Sequence, residues 1–252
     1  MKIYDWYRDH SRWRSECNVR RKILMAKKVA LMVVHQKRSS TGDVGFKLRE
    51  RGYKLDIRRP VFGEKLPDKM DDHDLAVIYG GPPSANDNTD YIKYEIDWIS
   101  NVLRDDKPFL GICLGAQMLA KNLGGTIKRS NDHSIEVGFY DLKPEGTGHK
   151  IFKQQKTFFQ WHREGFSTPN ECEILATGDM FKENAFRYGR AYGIQFHPEV
   201  NLKMHSMWLH YAGYMTKEKG AQDRYHQMNL RQKHAKRINM WLDTFIDNHL
   251  TK

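Results

Sequence analysis

Cysteine is scarce in this chain: three in 252 residues, Cys17, Cys113 and Cys172. Three thiols cannot all pair within one chain, so a disulfide framework is not what holds it together. Their sparseness fits a reducing compartment, and the expected location is the cytoplasm. Neither Cys-x-x-Cys nor a clustered His/Cys spacing is present, so no structural zinc and no other metal is expected. Long apolar runs are missing too. None approaches the ~20 residues that cross a bilayer, and no membrane role is expected. The N-terminus carries charges but no continuous apolar segment or small-residue cleavage site, so a secretory signal is not expected. Walker A loops, other ATP-binding signatures, internal repeats and low-complexity tracts are all absent. Acidic residues are in deficit, with 31 Asp and Glu against 42 Lys and Arg, a net charge of +11.

That charge sits at the ends. Residues 1–28 hold nine Lys/Arg against three Asp/Glu, and residues 213–252 hold eight against four, while 29–212 is close to neutral. The expected organisation is a basic, aromatic extension over 1–28, a central body over 29–212 and a basic helical segment over 213–252 packed on that body. Basic ends can attract nucleic acid or anionic partners, or can simply form a soluble face that repels other copies. No nucleic-acid signature is visible, so nucleic acid is not an expected partner.

From Val29 onward, strand-like and helix-like patterns alternate. Val29 to His35 is a continuous apolar run, as for a strand covered on both faces. Val44 to Arg51 reads as a helix stopped by Gly52. Strands are predicted at Tyr53–Arg58 and Leu75–Tyr79, then a helix through Tyr91, Tyr94, Ile96, Trp98, Ile99 and Leu103. A further strand and helix end at Gly124-Gly125. The alternation implies a mostly parallel α/β sheet flanked by helices, with ligands at the C-terminal ends of its strands. Residues 126–195 read as shorter strands, with a hairpin around Gly189-Arg190, which suggests an antiparallel edge. The last part of the tail reads as an amphipathic helix.

The most telling stretch is Pro108-Phe109-Leu110-Gly111-Ile112-Cys113-Leu114-Gly115-Ala116-Gln117. An apolar run ends in Gly-x-Cys-x-Gly and a helical pattern follows, the layout of a nucleophile elbow with cysteine at its apex. Cys113 would stand at a helix N-terminus, where the dipole and free N–H groups favour negative charge. Taken alone, the motif also suits a buried cysteine in a glycine-lined packing site. A second segment, Gly193-Ile194-Gln195-Phe196-His197-Pro198-Glu199, supplies a candidate base, His197, and a carboxylate, Glu199, to fix its tautomer. The bland alternative for His197 is a loop histidine.

Both segments resemble class I, triad-type glutamine amidotransferases, especially stand-alone domains similar to the amidotransferase half of GMP synthetase. Two further pieces match: Tyr79-Gly80-Gly81-Pro82-Pro83 and Phe159-Gln160-Trp161-His162. The four occur in the family's order between about Val29 and Tyr211. The resemblance implies a flavodoxin-like fold and cysteine-based hydrolysis of the glutamine side-chain amide without a cofactor. It further implies Cys113, His197 and Glu199 as the catalytic set and backbone N–H groups of Gly81 and Leu114 as the oxyanion hole. Gly80, Gln117, Trp161 and His162 would line the substrate pocket, His162 in a structural rather than catalytic role. Arg163-Glu164 stands where the family is expected to carry Gly-Asp, which puts the substrate itself in question. Three readings follow: a glutaminase feeding ammonia to a synthetase partner, a hydrolase of γ-glutamyl amides or peptides, or a non-catalytic binding module on the same scaffold. His35, His133 and His149 are read as incidental.

Overall fold

The structure, a computed structural model, describes residues 28–252. The extension 1–28, apart from Lys28, and Cys17 lie outside the described residues. Five strands build the parallel half of the main sheet: β1 (Val29–Val33), β2 (Lys54–Arg58), β3 (Leu75–Ile78), β4 (Phe109–Ile112) and β12 (Ala191–Ile194). They lie side by side in the order β2-β1-β3-β4-β12. The antiparallel edge follows: β11 (Glu183–Tyr188), β10 (Glu173–Thr177) and the two-residue β7 (Lys143–Pro144). The hairpin expected around Gly189-Arg190 joins β11 to β12.

Two pairings escaped the sequence. β5 (Thr126–Arg129) lies antiparallel to β9 (Glu164–Ser167), which touches β11. β6 (Glu136–Asp141) and β8 (Thr157–His162) form a separate antiparallel sheet. Short strands such as Thr126–Arg129 have one buried residue in four and no readable alternation.

The continuous apolar strands are explained by helices on both faces. Ala30, Met32 and Val34 point into one core, with Val77 and Ile112 beside them. Leu31 and Val33 point into the other, with Ile78 and Phe109. Alternate residues of one strand therefore serve two cores, and no position is left for a polar face. On the second face pack α2 (Asp90–Arg104), through Ile92, Ile96 and Ile99, and α3 (Leu114–Asn122), through Met118 and Leu119. On the first lie α1 (Gly42–Glu50), through Val44 and Leu48, and the tail. Between them come the one-turn α4 (Gly148–Ile151) and α5 (Leu202–Tyr211).

The tail helix is longer than its apolar spacing announces. α6 runs from Arg224 to Phe245, with Asp223 accepting from the His226 N–H as its N-cap. Only its second half carries apolar side chains at core spacing: Ile238, Trp241, Leu242 and Phe245. Trp241 stacks on Phe152 at 5.7 Å, meets Phe158 edge-on at 4.8 Å, and donates its indole N–H to Ile151 O at 2.9 Å. Lys47 of α1 and Arg51 just past its end reach across to Asp243, at 2.6 and 3.0 Å. Trp241→Ala is expected to cost about 3–5 kcal/mol, as a large buried aromatic in a close-packed cluster does. Chemical unfolding beside wild type checks this; a cost below about 1 kcal/mol would mean the tail contributes little to the core. Among the described residues no helix is long and apolar enough to cross a membrane.

Candidate active site

Three neighbouring strands deliver the site. β3 ends at Ile78 and runs into Gly80-Gly81, β4 ends at Ile112 before Cys113, and β12 ends at Ile194 before His197. Their registers place Ile78 beside Gly111 and Ile112 beside Ile194. Residues one to three positions past each end are therefore brought together by sheet pairing alone.

Cys113 forms the sharp turn between β4 and α3. Its φ of 51° and ψ of −104° lie outside the regions that L residues ordinarily occupy. The strain is over-determined by the surroundings, as strain at functional sites usually is. Its N–H donates to Ile194 O at 2.8 Å, and its carbonyl accepts the first helical bond from Gln117 N at 3.0 Å. The flanking glycines are required by contact. A Cβ on Gly111 would lie 2.5 Å from Gly115 O, and one on Gly115 would lie 2.1 Å from Ile78 O. Leu114 is the first residue of α3, so its N–H belongs to the turn that has no partner within the helix.

His197 is held from several directions. Its backbone N–H donates to Phe159 O at 2.8 Å, and its ring meets Trp208 edge-on at 4.9 Å. Nδ1 lies 2.9 Å from Glu199 Oε1, and both side chains are buried. Glu199 is fixed in turn, its carbonyl accepting from Asp43 N at 2.9 Å. Gly42 allows that approach, since a Cβ there would lie 2.2 Å from Glu199 O. Glycine is required at Gly80 as well: a Cβ would lie 2.7 Å from His197 Cε1 and 3.3 Å from Cys113 Cβ. Histidine and cysteine thus converge on one glycine.

Burial works against charge on His197, but the Glu199 carboxylate and the Cys113 sulfur overcome it and raise its pKa to about 10. His197 Nε2 is buried without a hydrogen-bond partner among the described residues. A buried nitrogen normally finds one, and an orphan at a reactive position is where a proton is taken up and given back. The Tyr79 hydroxyl, which donates to Thr41 O at 3.0 Å, is pushed well above its ordinary pKa by burial and by Glu199.

The remaining sequence candidates connect to Cys113 and to Glu164. Trp161 O lies 4.0 Å from Cys113 Sγ. The Trp161 indole donates to Met215 Sδ at 3.2 Å, and its ring meets Trp208 edge-on. His162 is buried between Glu136, 3.0 Å from Nε2, and Glu164 O, 2.9 Å from Nδ1. Both of its ring nitrogens are thereby occupied. Gln117 donates to the same Glu164 O at 2.8 Å and to Gln195 Oε1 at 3.3 Å. It ties the elbow helix to β9. Ser84 donates to Glu164 Oε2 at 2.6 Å, joining the loop after Gly80-Gly81 to the same turn. Arg163 is not free: it pairs with Glu218 and lies over Tyr214.

His35 corrects the reading of it as incidental. It is buried, bonded to Glu95 and to Gly80 O, and packed beneath Gly81. Its signal was available, since it directly follows an apolar run and so stands at the sheet edge where Gly80, Cys113 and His197 stand. Among the described residues no three His, Cys, Asp or Glu side chains gather as a metal site.

Fold and geometry together define an open, mostly parallel α/β protein with Cys113, His197 and Glu199 past the ends of two adjacent strands and Gly80 past a third. The family model for class-I glutamine amidotransferases matches residues 38–216, and the chain belongs to that family. A glutamine amidotransferase-like protein of Salmonella typhimurium is 28% identical over 182 residues, 68% of this chain and 75% of the relative. A glutamine-hydrolysing GMP synthase subunit of Methanobrevibacter smithii is 34% identical over 133 residues, 50% of this chain and 65% of that one. The crystal structure of a glutamine amidotransferase from Thermotoga maritima superposes with a TM-score of 0.80 at 27% identity, covering 90% of this chain and 99% of that one.

Proposed function

We propose that this protein hydrolyses the side-chain amide of glutamine through a thioester on Cys113. One observation carries the reading: a strained cysteine and a buried His197–Glu199 pair meet across Gly80. The Cys113 sulfur adds to the carboxamide carbon. The oxygen takes up negative charge and is held by the Gly81 and Leu114 N–H groups, donors of a kind worth ~3–4 kcal/mol each when removed. His197 gives its proton to the departing ammonia, and the γ-glutamyl thioester remains. His197 then takes a proton from water, which attacks the thioester and releases glutamate and the free thiol. Glu199 holds the ring in position and stabilises its charged form. Gly80, Gln117, Trp161 and His162 shape the pocket.

Glutamate and ammonia release from glutamine by the purified chain tests this. The relatives named as parts of GMP synthase support a synthetase partner as acceptor of the ammonia. A second reading keeps the mechanism and takes γ-glutamyl amides or peptides as substrate. Arg163-Glu164 favours it, because these two residues stand where the family was expected to carry Gly-Asp, and Arg163 is engaged by Glu218. A panel of γ-glutamyl peptides decides: a clear preference for free glutamine removes the second reading.

Glu199→Gln is expected to lower turnover roughly 10⁴-fold, the order seen when the carboxylate of such a constellation is neutralised. It also changes stability with pH. In wild type the His197 pKa lies at about 10, above the ordinary value near 6.5. The stability from its charged form is complete below pH ~6.5 and fades as pH rises through ~10. Without Glu199 the largest of the groups that raise it is gone, the pKa falls, and that contribution shrinks. Urea unfolding at neutral and at high pH checks it: wild type loses more stability between the two than the variant does. Equal losses would show that Glu199 does not hold the charge on His197.

A further inference from the structure

A second buried Glu–His pair lies beneath the Gly80–Gly81 turn. His35 stands two residues past β1, and Glu95 is on α2. Nε2 of His35 is 2.9 Å from Glu95 Oε2, and Nδ1 is 3.2 Å from Gly80 O. His35 is 4% exposed and Glu95 0%. β1 and β3 are paired with Val33 beside Ile78, which is why His35 and Gly80 meet.

The two contacts assign the ring's protons. A carbonyl oxygen only accepts, so Nδ1 carries the hydrogen that it gives to Gly80 O. The short Nε2–Oε2 contact is attractive only if a proton lies in it as well. One proton therefore lies in each bond, the outer one shared between Glu95 and His35, and the carboxyl group keeps Nδ1–H turned to Gly80 O. A residue that merely fills space needs no carboxylate beside it. Here the carboxylate is fully buried, and its Oε1 has no partner among the described residues, an arrangement that costs stability.

We propose that His35, held by Glu95, is a positioning residue that aims the Gly81 N–H at the oxyanion. This rests on the reading that Gly81 supplies one of the oxyanion-hole donors. Across a trans peptide the C=O and the N–H point in opposite directions, and the described chain has no cis bond. Anchoring Gly80 O on His35 therefore turns the Gly81 N–H to the far side of the peptide. Gly80 itself borders Cys113 and His197. The Gly81 N–H has no acceptor among the described residues. Gly81 also lies close on the imidazole: a Cβ there would sit 2.7 Å from His35 Cβ and 2.9 Å from Cγ. The donor is thereby fixed before charge develops, which is when preorganisation matters most.

Two reactions of Cys113 separate this role from a structural one. Acylation by p-nitrophenyl acetate joins sulfur to the ester carbon, places negative charge on the carbonyl oxygen, then expels p-nitrophenolate. Alkylation by iodoacetamide joins sulfur to carbon, expels iodide and forms no oxyanion. Both are followed by mass spectrometry at the Cys113 peptide of the full chain. His35→Ala is expected to slow acylation at least ~10-fold, below the loss for deleting a donor outright, and to leave alkylation unchanged. On glutamine, kcat falls and KM holds. His35→Asn, whose amide nitrogen can take the place of Nδ1, recovers most of the acylation rate. If His35→Ala does not fold, His35→Phe with Glu95→Leu replaces the pair by apolar groups of similar bulk, a swap that proteins tolerate. The same selective loss is expected of it. Acylation and alkylation falling together, acylation unchanged, or His35→Asn no better than His35→Ala would each overturn the inference. A wild type that releases no ammonia from glutamine would refute the glutaminase reading alone, because the ratio of the two reactions still reads His35.

Discussion

Cys113→Ala abolishes ammonia release from glutamine, a loss of ~10⁴-fold or more, the scale on which removing a nucleophile acts in enzymes of this design. The size follows from what remains. Glu199, His197 and the backbone donors still bind and polarise an amide, but no atom is left to form the covalent bond, and water must attack unaided. The fold should survive. Alanine occupies the same backbone turn, φ 51°, with one fewer heavy atom, and the turn is held by backbone bonds to Ile194 and Gln117 that no side chain supplies. A coupled glutamate assay beside thermal melting separates the two effects. Activity retained within about tenfold would assign the chemistry elsewhere.

Gly115→Ala should have the largest effect on folding. The new methyl would lie 2.1 Å from Ile78 O and 3.0 Å from Ile78 Cβ, well inside contact distance, and the obstacle is strand backbone. Helix α3 would have to move off β3, and Cys113 sits at the end of α3 that moves. A cost of about 3–5 kcal/mol is expected, in the range where single substitutions overwhelm a marginal fold. Gly213→Ala is the control, since its Cβ would meet only Arg224 Nη2, at 3.7 Å. Denaturant midpoints of the two variants, with soluble yield, give the comparison. Equal midpoints would show that the elbow tolerates separation of α3 from β3.

What the sequence shows of this protein is its parallel half. Continuous apolar runs, each followed within a few residues by a glycine, cysteine or histidine, mark β1, β3, β4 and β12, because strands covered on both faces have no polar positions to break the pattern. The site follows from them: in a parallel sheet the C-terminal strand ends share one edge, so Gly81, Cys113 and His197 are neighbours by topology. The supporting contacts are less legible. Gly42 against Glu199, Trp208 against His197 and Glu95 against His35 bring together residues 157, 11 and 60 positions apart. No local period records such pairings. Helix α6 was half legible because its first two turns pack through Gln227 and Arg231, polar side chains that bond Gln222 O and Val200 O from buried positions. Arg163 is a similar case: its departure from the family pattern was visible in the sequence, its Glu218 partner was not.

The measurement that bears most directly on the central claim is the covalent state of Cys113 during turnover. Wild type mixed with glutamine, quenched in acid within the turnover time and digested, is predicted to carry one γ-glutamyl group on the Cys113 peptide. Cys113→Ala is predicted to carry none and to release no glutamate. Steady glutamate release with an unmodified Cys113 peptide, or release that persists in Cys113→Ala, would contradict it.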